Sequence, residues 1–349
     1  MFIRVYYPSE YEQSKTNQMW KLWPVWAKDE YLAGFIKFAQ ATLEHWPSWA
    51  PREEYLYIDQ VSKYKEYLGP ILHYGGAHIW KYLNGEVYCP ILKNAQISRK
   101  KVWPVIVFSH GLGCSRFANS RICADLASHG FVVAATEHRD GSAALSFTME
   151  NGRKSWVEHR QILDGEDEYT IRNNQVYFRA AELTRTMDLI EKLTARENVK
   201  NVLESADDLN MFQDMIQVEN PILIGHSFGG STALVSLVHD KRFKHGIILD
   251  GWLFPIKEKK MLTPDQPILF INTESFEHRE NLAMMRSFMH EGLVRRMVQI
   301  KGSVHHNLKD VPLIFKSAIV KRMVGMQSVT DPLLVVDITN KLMLQFLFR

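Results

Sequence analysis

One pentapeptide constrains this chain more than any other feature. Gly225-His226-Ser227-Phe228-Gly229 follows a strand-like run, Pro221-Ile222-Leu223-Ile224, and precedes a helix-compatible one, Ser231-Thr232-Ala233-Leu234-Val235. A Gly-x-Ser-x-Gly pattern alone is short and arises by chance. Between a strand and a helix it describes a sharp turn with serine at the apex, where side chains on the flanking positions would clash. The motif therefore asks for strands and helices in alternation around it.

The rest of the chain supplies that rhythm from Val102 onward. Val102–Phe108 reads as a strand, Ser109-His110-Gly111-Leu112-Gly113 as a turn, and the following helix ends near His129 at Gly130, a C′ glycine. Phe131–Ala135 is apolar throughout, as a parallel strand buried on both faces would be. Residues 140–175 form an insertion with a hairpin turn signal at Asn151-Gly152. Val176, Ala180, Leu183, Met187 and Ile190 then step by four, three, four and three along one helix face. Strands over Pro221–Ile224, Gly246–Leu249, Pro267–Asn272 and Arg296–Ile300 alternate with helices after Ser227, over 277–290 and after Asn307. The expected fold class is α/β, with a mostly parallel central sheet covered by helices on both faces. Residues 1–349 are expected to form a single domain, in which 1–100 is an aromatic-rich N-terminal part and 102–349 the core.

That N-terminal part opens on a β-rich alternation, Phe2–Tyr7, and carries five of the nine tryptophans: Trp20, Trp23, Trp26, Trp46 and Trp49. Tyr31, Leu32, Phe35, Ile36, Ala39 and Leu43 recur between them at helical spacing. The formal charge of +3 and the absence of a basic block argue against nucleic acid as a partner. Cys89, Cys114 and Cys123 form neither a disulfide framework nor a zinc-ligand pattern, and there is no Asn-x-Ser/Thr sequon. Both facts lean towards a reducing compartment. No apolar run reaches the roughly 18–20 residues a membrane span needs, and no phosphate-loop or dinucleotide fingerprint appears. No cofactor is expected. His138, in Glu137-His138-Arg139-Asp140, directly follows a buried strand, which favours a charge network at the strand end over a metal site.

A serine hydroxyl needs a base within hydrogen-bond reach, and with this turn the chain order is Ser, acid, His. Of the downstream histidines only His305 and His306 lie in a loop just after a late strand, Gly302-Ser303-Val304-His305-His306, and spacing does not separate the two. For the acid, Asp250 ends one strand and Glu274 the next, and both would emerge at the sheet's C-terminal edge. An oxyanion needs two backbone N–H donors. Phe228, after the serine, and Leu112, in the early glycine-bearing loop, are the expected pair.

The chain resembles the platelet-activating factor acetylhydrolases of the plasma and intracellular type II kind, of the α/β-hydrolase superfamily. The resemblance rests on Phe108–Gly113, Asp125–Phe131, Glu137–Asp140, Ile171-Arg172-Asn173 with Gln175-Val176, Gly225–Gly230, Leu249-Asp250 with Trp252 and Phe254-Pro255, Phe270–Asn272 and Gly302–His305. It runs from about Phe2 to the C-terminus and is dense from 103 onward. It implies an α/β-hydrolase fold, a triad of Ser227, Asp250 and His305, and oxyanion donors at Leu112 and Phe228. The activity it implies is calcium-independent hydrolysis of the sn-2 acetyl, or short or oxidised acyl, ester of phospholipids. Two departures stand out: His306 replaces a polar amide residue usual after the base, and the resemblance is expected to begin after the family's leader and first strand. The expected partner is phospholipid at a membrane or lipoprotein surface, with the tryptophans of 20–49 and the C-terminal run Leu342-Met343-Leu344 with Phe346-Leu347-Phe348 as docking candidates. The expected location is cytoplasmic and peripheral at membranes, or secreted if a leader precedes this chain. The rival expectations are a general carboxylesterase or lipase of the same fold and a lipid-binding pseudoenzyme.

Overall fold

The computed structural model describes residues 2–9, 24, 27–44, 87–203, 208–258, 262–314, 321 and 325–348. The five tryptophans between 20 and 49, and the docking role considered for them, lie outside the described residues. A seven-stranded sheet organises the described part. Its strands are β1 (Ile3–Tyr6), β2 (Trp103–Ser109), β3 (Val132–Thr136), β6 (Ile216–His226), β7 (His245–Leu249), β8 (Ile268–Thr273) and β9 (Arg295–Ile300). They lie in the order β1-β3-β2-β6-β7-β8-β9. Every neighbouring pair is parallel except the edge pair β1–β3, whose register runs Ile3↔Thr136 to Tyr6↔Val133.

Alternation along the strands builds two cores. Val105, Val107, Val132, Ala134, Leu223, Ile248 and Phe270 face α3 (Glu168–Thr194) and α4 (Phe228–His239), whose Val176, Leu183, Met187, Leu234 and Leu237 are fully buried against them. Their strand neighbours Ile106, Phe108, Val133, Ile224, Ile247 and Ile271 face α2 (Ser120–Ser128) and α6 (Pro332–Leu347). Period-two strands buried on both sides explain the unbroken apolar runs Val105–Phe108, Val132–Ala135, Ile222–Ile224, Ile247–Leu249 and Ile268–Ile271. The C-terminal run packs here: Met343 is fully buried and Phe346 nearly so, which leaves Phe348 as its exposed residue.

The insertion holds the antiparallel hairpin β4 (Leu145–Glu150) and β5 (Arg153–Glu158), turned at Asn151 and Gly152, both with positive φ. α1 (Asp29–Glu44) packs on β4 and buries Tyr31 and Leu32. α3 begins well before the apolar stripe that announces it. Asp167 caps it by accepting from Thr170 N–H at 3.1 Å, and its first turns bury Arg172 and Gln175, polar residues that hide the helical period. α5 (Arg279–Arg286) is shorter than the 277–290 helix expected. Among the described residues no helix is long and apolar enough to cross a membrane.

Register brings four strand ends to one edge. His226 pairs with Leu249, Leu249 with Ile271, and Thr273 with Ile300. Ser227, Asp250, Glu274 and the loop that carries His305 therefore all leave the sheet on the same side, the crevice where open α/β sheets place their chemistry.

Candidate active site

Ser227 joins β6 to α4 with φ 55° and ψ −119°, a left-handed backbone that a serine adopts only under constraint. The constraint is crowding. A Cβ on Gly225 would lie 2.0 Å from the Gly229 carbonyl oxygen, and one on Gly229 would lie 2.1 Å from the Ser109 carbonyl oxygen. The turn is held by Ser227 N–H donating to Leu249 O at 2.9 Å, and by Gly230 and Trp252 N–H donating to Ser227 O at 2.8 and 2.9 Å.

The hydroxyl so presented meets one histidine. His305 Nε2 is 3.1 Å from Ser227 Oγ, and His305 Nδ1 is 3.0 Å from Asp250 Oδ2. With Nδ1–H donating to the carboxylate, Nε2 is left as acceptor for the serine proton. Asp250, also at positive φ, is fully buried; it accepts from Thr273 N–H at 2.6 Å and from Thr273 Oγ1 at 2.5 Å. Burial pushes its carboxyl up to about 7 against the pull of those two bonds. Burial, then the charges of Lys309 and His278, holds the His305 imidazole well below its usual value. Both shifts oppose charge in a dry pocket, and the two groups titrate as one unit.

The structure separates the alternatives that the residues left open. Glu274 is engaged elsewhere: its Oε2 accepts from Gly302 N–H at 2.6 Å and so anchors the loop before His305. His306 lies with its ring centroid 6.1 Å from that of His305, and its Nδ1 is buried without a hydrogen-bond partner among the described residues. Gly111, the residue before Leu112, lies against Ser227, and Phe228 follows the serine directly. A Cβ on Gly111 would come within 3.0 Å of Ser227 Cβ, so the backbone that leads into Leu112 lies against the serine. Phe228 opens α4, where an N–H has no helical carbonyl four residues back to take it.

Residues that sequence reasoning did not single out complete the site. Thr273 fixes the acid, and Phe276 and His226 stack on the ring of His305 with centroids 4.0 and 4.8 Å away. A second Ser–His–acid chain, Ser109 Oγ to His138 Nε2 at 2.9 Å and His138 Nδ1 to Glu182 Oε2 at 2.8 Å, lies behind the site. All three of its residues are fully buried, whereas Ser227 keeps 8% of its surface exposed and the His305 side chain 17%, so of the two chains the Ser227 one is open to solvent. Arg139 donates to Glu182 Oε1 at 3.0 Å, which makes the His138 cluster the charge network at the strand end that its position suggested. Among the described residues no group of His, Cys, Asp and Glu is arranged to hold a metal ion.

The family model described as "Platelet-activating factor acetylhydrolase, isoform II" matches residues 40–349. The chain belongs to that family. This acetylhydrolase-family chain is 36% identical to the platelet-activating factor acetylhydrolase of Bos taurus over 99% of its own length and 71% of the relative's. It is 37% identical to that of Canis lupus familiaris over 86% and 67%. Among solved structures, a ferulic acid esterase from Streptomyces cinnamoneus superposes with a TM-score of 0.56 at 19% identity, covering 77% of this chain and 74% of the esterase. The fold of this acetylhydrolase-family member is thus the α/β-hydrolase fold, as its elbow required.

Proposed function

We propose that the protein is a serine esterase that removes the sn-2 acetyl, or a short or oxidised acyl group, from glycerophospholipids such as platelet-activating factor, without calcium. One observation carries the reading: a single imidazole bridges a serine hydroxyl and a fully buried carboxylate at the C-terminal rim of the sheet. The family to which the chain belongs supplies the substrate class.

In this reading Ser227 Oγ attacks the sn-2 carbonyl carbon while His305 Nε2 takes the hydroxyl proton. The carbonyl oxygen becomes an oxyanion held by the N–H groups of Leu112 and Phe228. His305 then hands its proton to the leaving lyso-phospholipid oxygen as the C–O bond breaks, leaving an acyl-serine. Water, deprotonated by the same imidazole, attacks that ester; acetate leaves and Ser227 regains its proton. Asp250 keeps the imidazole in the productive tautomer and offsets its transient positive charge. The substrate is drawn from a membrane or lipoprotein surface. Cys89, Cys114 and Cys123 are free and buried, which suits a cytoplasmic enzyme acting at the face of a membrane.

The test is acetate release from 1-alkyl-2-acetylglycerophosphocholine, with and without a calcium chelator, beside a long-chain phospholipid and a triacylglycerol. Acetyl-lipid hydrolysis that survives chelation and is abolished in Ser227→Ala is the expected result. Preference for the triacylglycerol would make the protein a general lipase, and activity retained in Ser227→Ala would remove the nucleophile.

A further inference from the structure

Among the described residues, the largest fully buried side chain is not apolar. Arg179, on the same face of α3 as Val176 and Leu183, is 0% exposed, and its guanidinium lies directly behind the loop and the turn that carry the two oxyanion donors. Its Nη2 donates to His110 O at 2.7 Å. Its Cζ stands 4.7 Å from the ring centroid of Phe228, a cation–π contact, and its Nη1 lies 3.5 Å from Thr232 Oγ1 on the same helix. Asp140 Oδ2, 3.8 Å from its Nε, is the nearest opposite charge. Burying a guanidinium beside a carboxylate rarely stabilises a core more than apolar residues of similar volume would, so its placement is better explained by geometry than by fold energy.

The geometry runs through His110. His110 Nδ1 lies 2.9 Å from Gly111 O and 3.1 Å from Arg179 Nη2, and the His138 N–H points at Nε2 at 3.4 Å; with Nε2 as acceptor the ring proton is assigned to Nδ1. Nδ1–H then donates to Gly111 O at 2.9 Å, and Cys114 N–H adds a second bond to the same carbonyl at 3.3 Å. The Gly111 C=O and the Leu112 N–H belong to one trans peptide and point in opposite directions. Pinning the carbonyl therefore aims the N–H. Arg179 fixes the carbonyl of the residue immediately before that peptide, and through the Phe228 ring it also braces the residue that supplies the other N–H.

We infer that Arg179 is a positioning residue of the oxyanion hole: its guanidinium, held on the His110 carbonyl and the Phe228 ring, sets the direction of both donor N–H groups. The inference rests on the Ser227-centred reading and adds the element that preorganises it. An oxyanion donor acts only where it already points, and one misplaced donor costs roughly 10²–10³ in rate. Lysine at 179 would keep a buried cation but lose the planar fork that reaches two partners.

The test compares the full chain with its Arg179→Lys and Arg179→Gln variants on 4-nitrophenyl acetate and on the corresponding thionoacetate. Sulfur accepts hydrogen bonds poorly, so the preference for the oxo ester over the thiono ester reports on the oxyanion hole, and an effect confined to folding or to the triad leaves it unchanged. The expected result is a kcat lower by roughly 10- to 100-fold with KM within about threefold, an unmoved acid limb of the pH profile, and an oxo-to-thiono preference that falls with kcat. A kcat within twofold of the parent, a preference that stays constant while kcat falls, or failure of both variants to fold would overturn it, the last because the guanidinium would then be a fold determinant. Ser227→Ala on the same esters separates the two levels: residual turnover there removes the nucleophile itself, whereas an inert Ser227→Ala beside an unchanged oxo-to-thiono preference removes only the role of Arg179.

Discussion

The imidazole of His305 lies face to face with the ring of Phe276, centroids 4.0 Å apart and planes 18° apart. His226 stacks on the same imidazole at 4.8 Å and 22°, and two near-parallel rings this close must occupy opposite faces. The base is thus clamped in its plane, and the hydrogen bonds to Ser227 and Asp250 need only fix its rotation within that plane. The residue on the far side is kept neutral: burial, then the charge of His305, holds His226 well below its usual value, so in the proposed cycle it would not repel a protonated His305.

Phe276→Ala opens one side of that clamp without touching a hydrogen-bonding group. The imidazole then samples tilted positions, and the near-attack geometry is populated less often. The expected outcome is kcat lower by roughly tenfold to a hundredfold, with KM little changed, measured by acetate release. A kcat equal to the parent's would show that the ring serves only to fill space.

Thr273→Val removes one of the two Thr273 donors to Asp250 and keeps the other, since the N–H at 2.6 Å remains. The hydroxyl bond favours the ionised carboxylate, so its loss makes protonation of the Asp250–His305 unit easier. The active form has a carboxylate and a neutral imidazole. The unit would therefore take up its inactivating proton at higher pH, and the acid limb of kcat/KM should move up by roughly one pH unit, given about 1.5 kcal/mol for a bond to a charged group. A limb that stays in place, or moves down, would contradict this account.

Asp250→Asn and Glu274→Gln test two strand-end carboxylates that look alike in sequence. Asparagine at 250 would favour the wrong imidazole tautomer and should lower kcat by about 10⁴. Glutamine at 274 keeps an oxygen that can accept from Gly302 N–H, so the loop that carries the base stays anchored and kcat should remain within about threefold of the parent. Equal losses in both variants, measured by initial rates, would reopen the choice of acid.

These contrasts show where the sequence was readable. Strands buried on both faces carry unbroken apolar runs, Val132–Ala135 in β3, Ile247–Leu249 in β7 and Ile268–Ile271 in β8, so these stood out, and the steric needs of the strand-to-helix turn marked Ser227. His305 and Asp250 lie 78 and 23 residues from Ser227 along the chain. What separates His305 from His306, or Asp250 from Glu274, is sheet register and loop path, and spacing records neither. Phe276 and Thr273 carried no signal, because a threonine at the end of a strand and an aromatic shortly after it are ordinary. Arg179 did carry one: it sits three residues after Val176 and four before Leu183, on the stripe that α3 buries, so a charge on that face called for a reason.

Gly229→Ala tests the elbow as a matter of packing. The added methyl would lie 2.1 Å from the Ser109 carbonyl oxygen and 3.0 Å from that of His110, both of them backbone atoms that no rotamer change can move. Relief requires α4 to shift away from β2, where Leu234, Val235 and Leu237 are packed without exposure. Forcing atoms into a filled core costs about 1–3 kcal/mol, and the backbone contact here puts the change at or above the upper end. The displaced helix also carries the Phe228 N–H away from the developing oxyanion, so activity should fall further than the loss of folded protein explains. The measurement is a thermal melt beside kcat per fluorophosphonate-titrated site. An alanine variant that melts with the parent and turns over at the parent's rate would mean that the turn is not constrained by this contact.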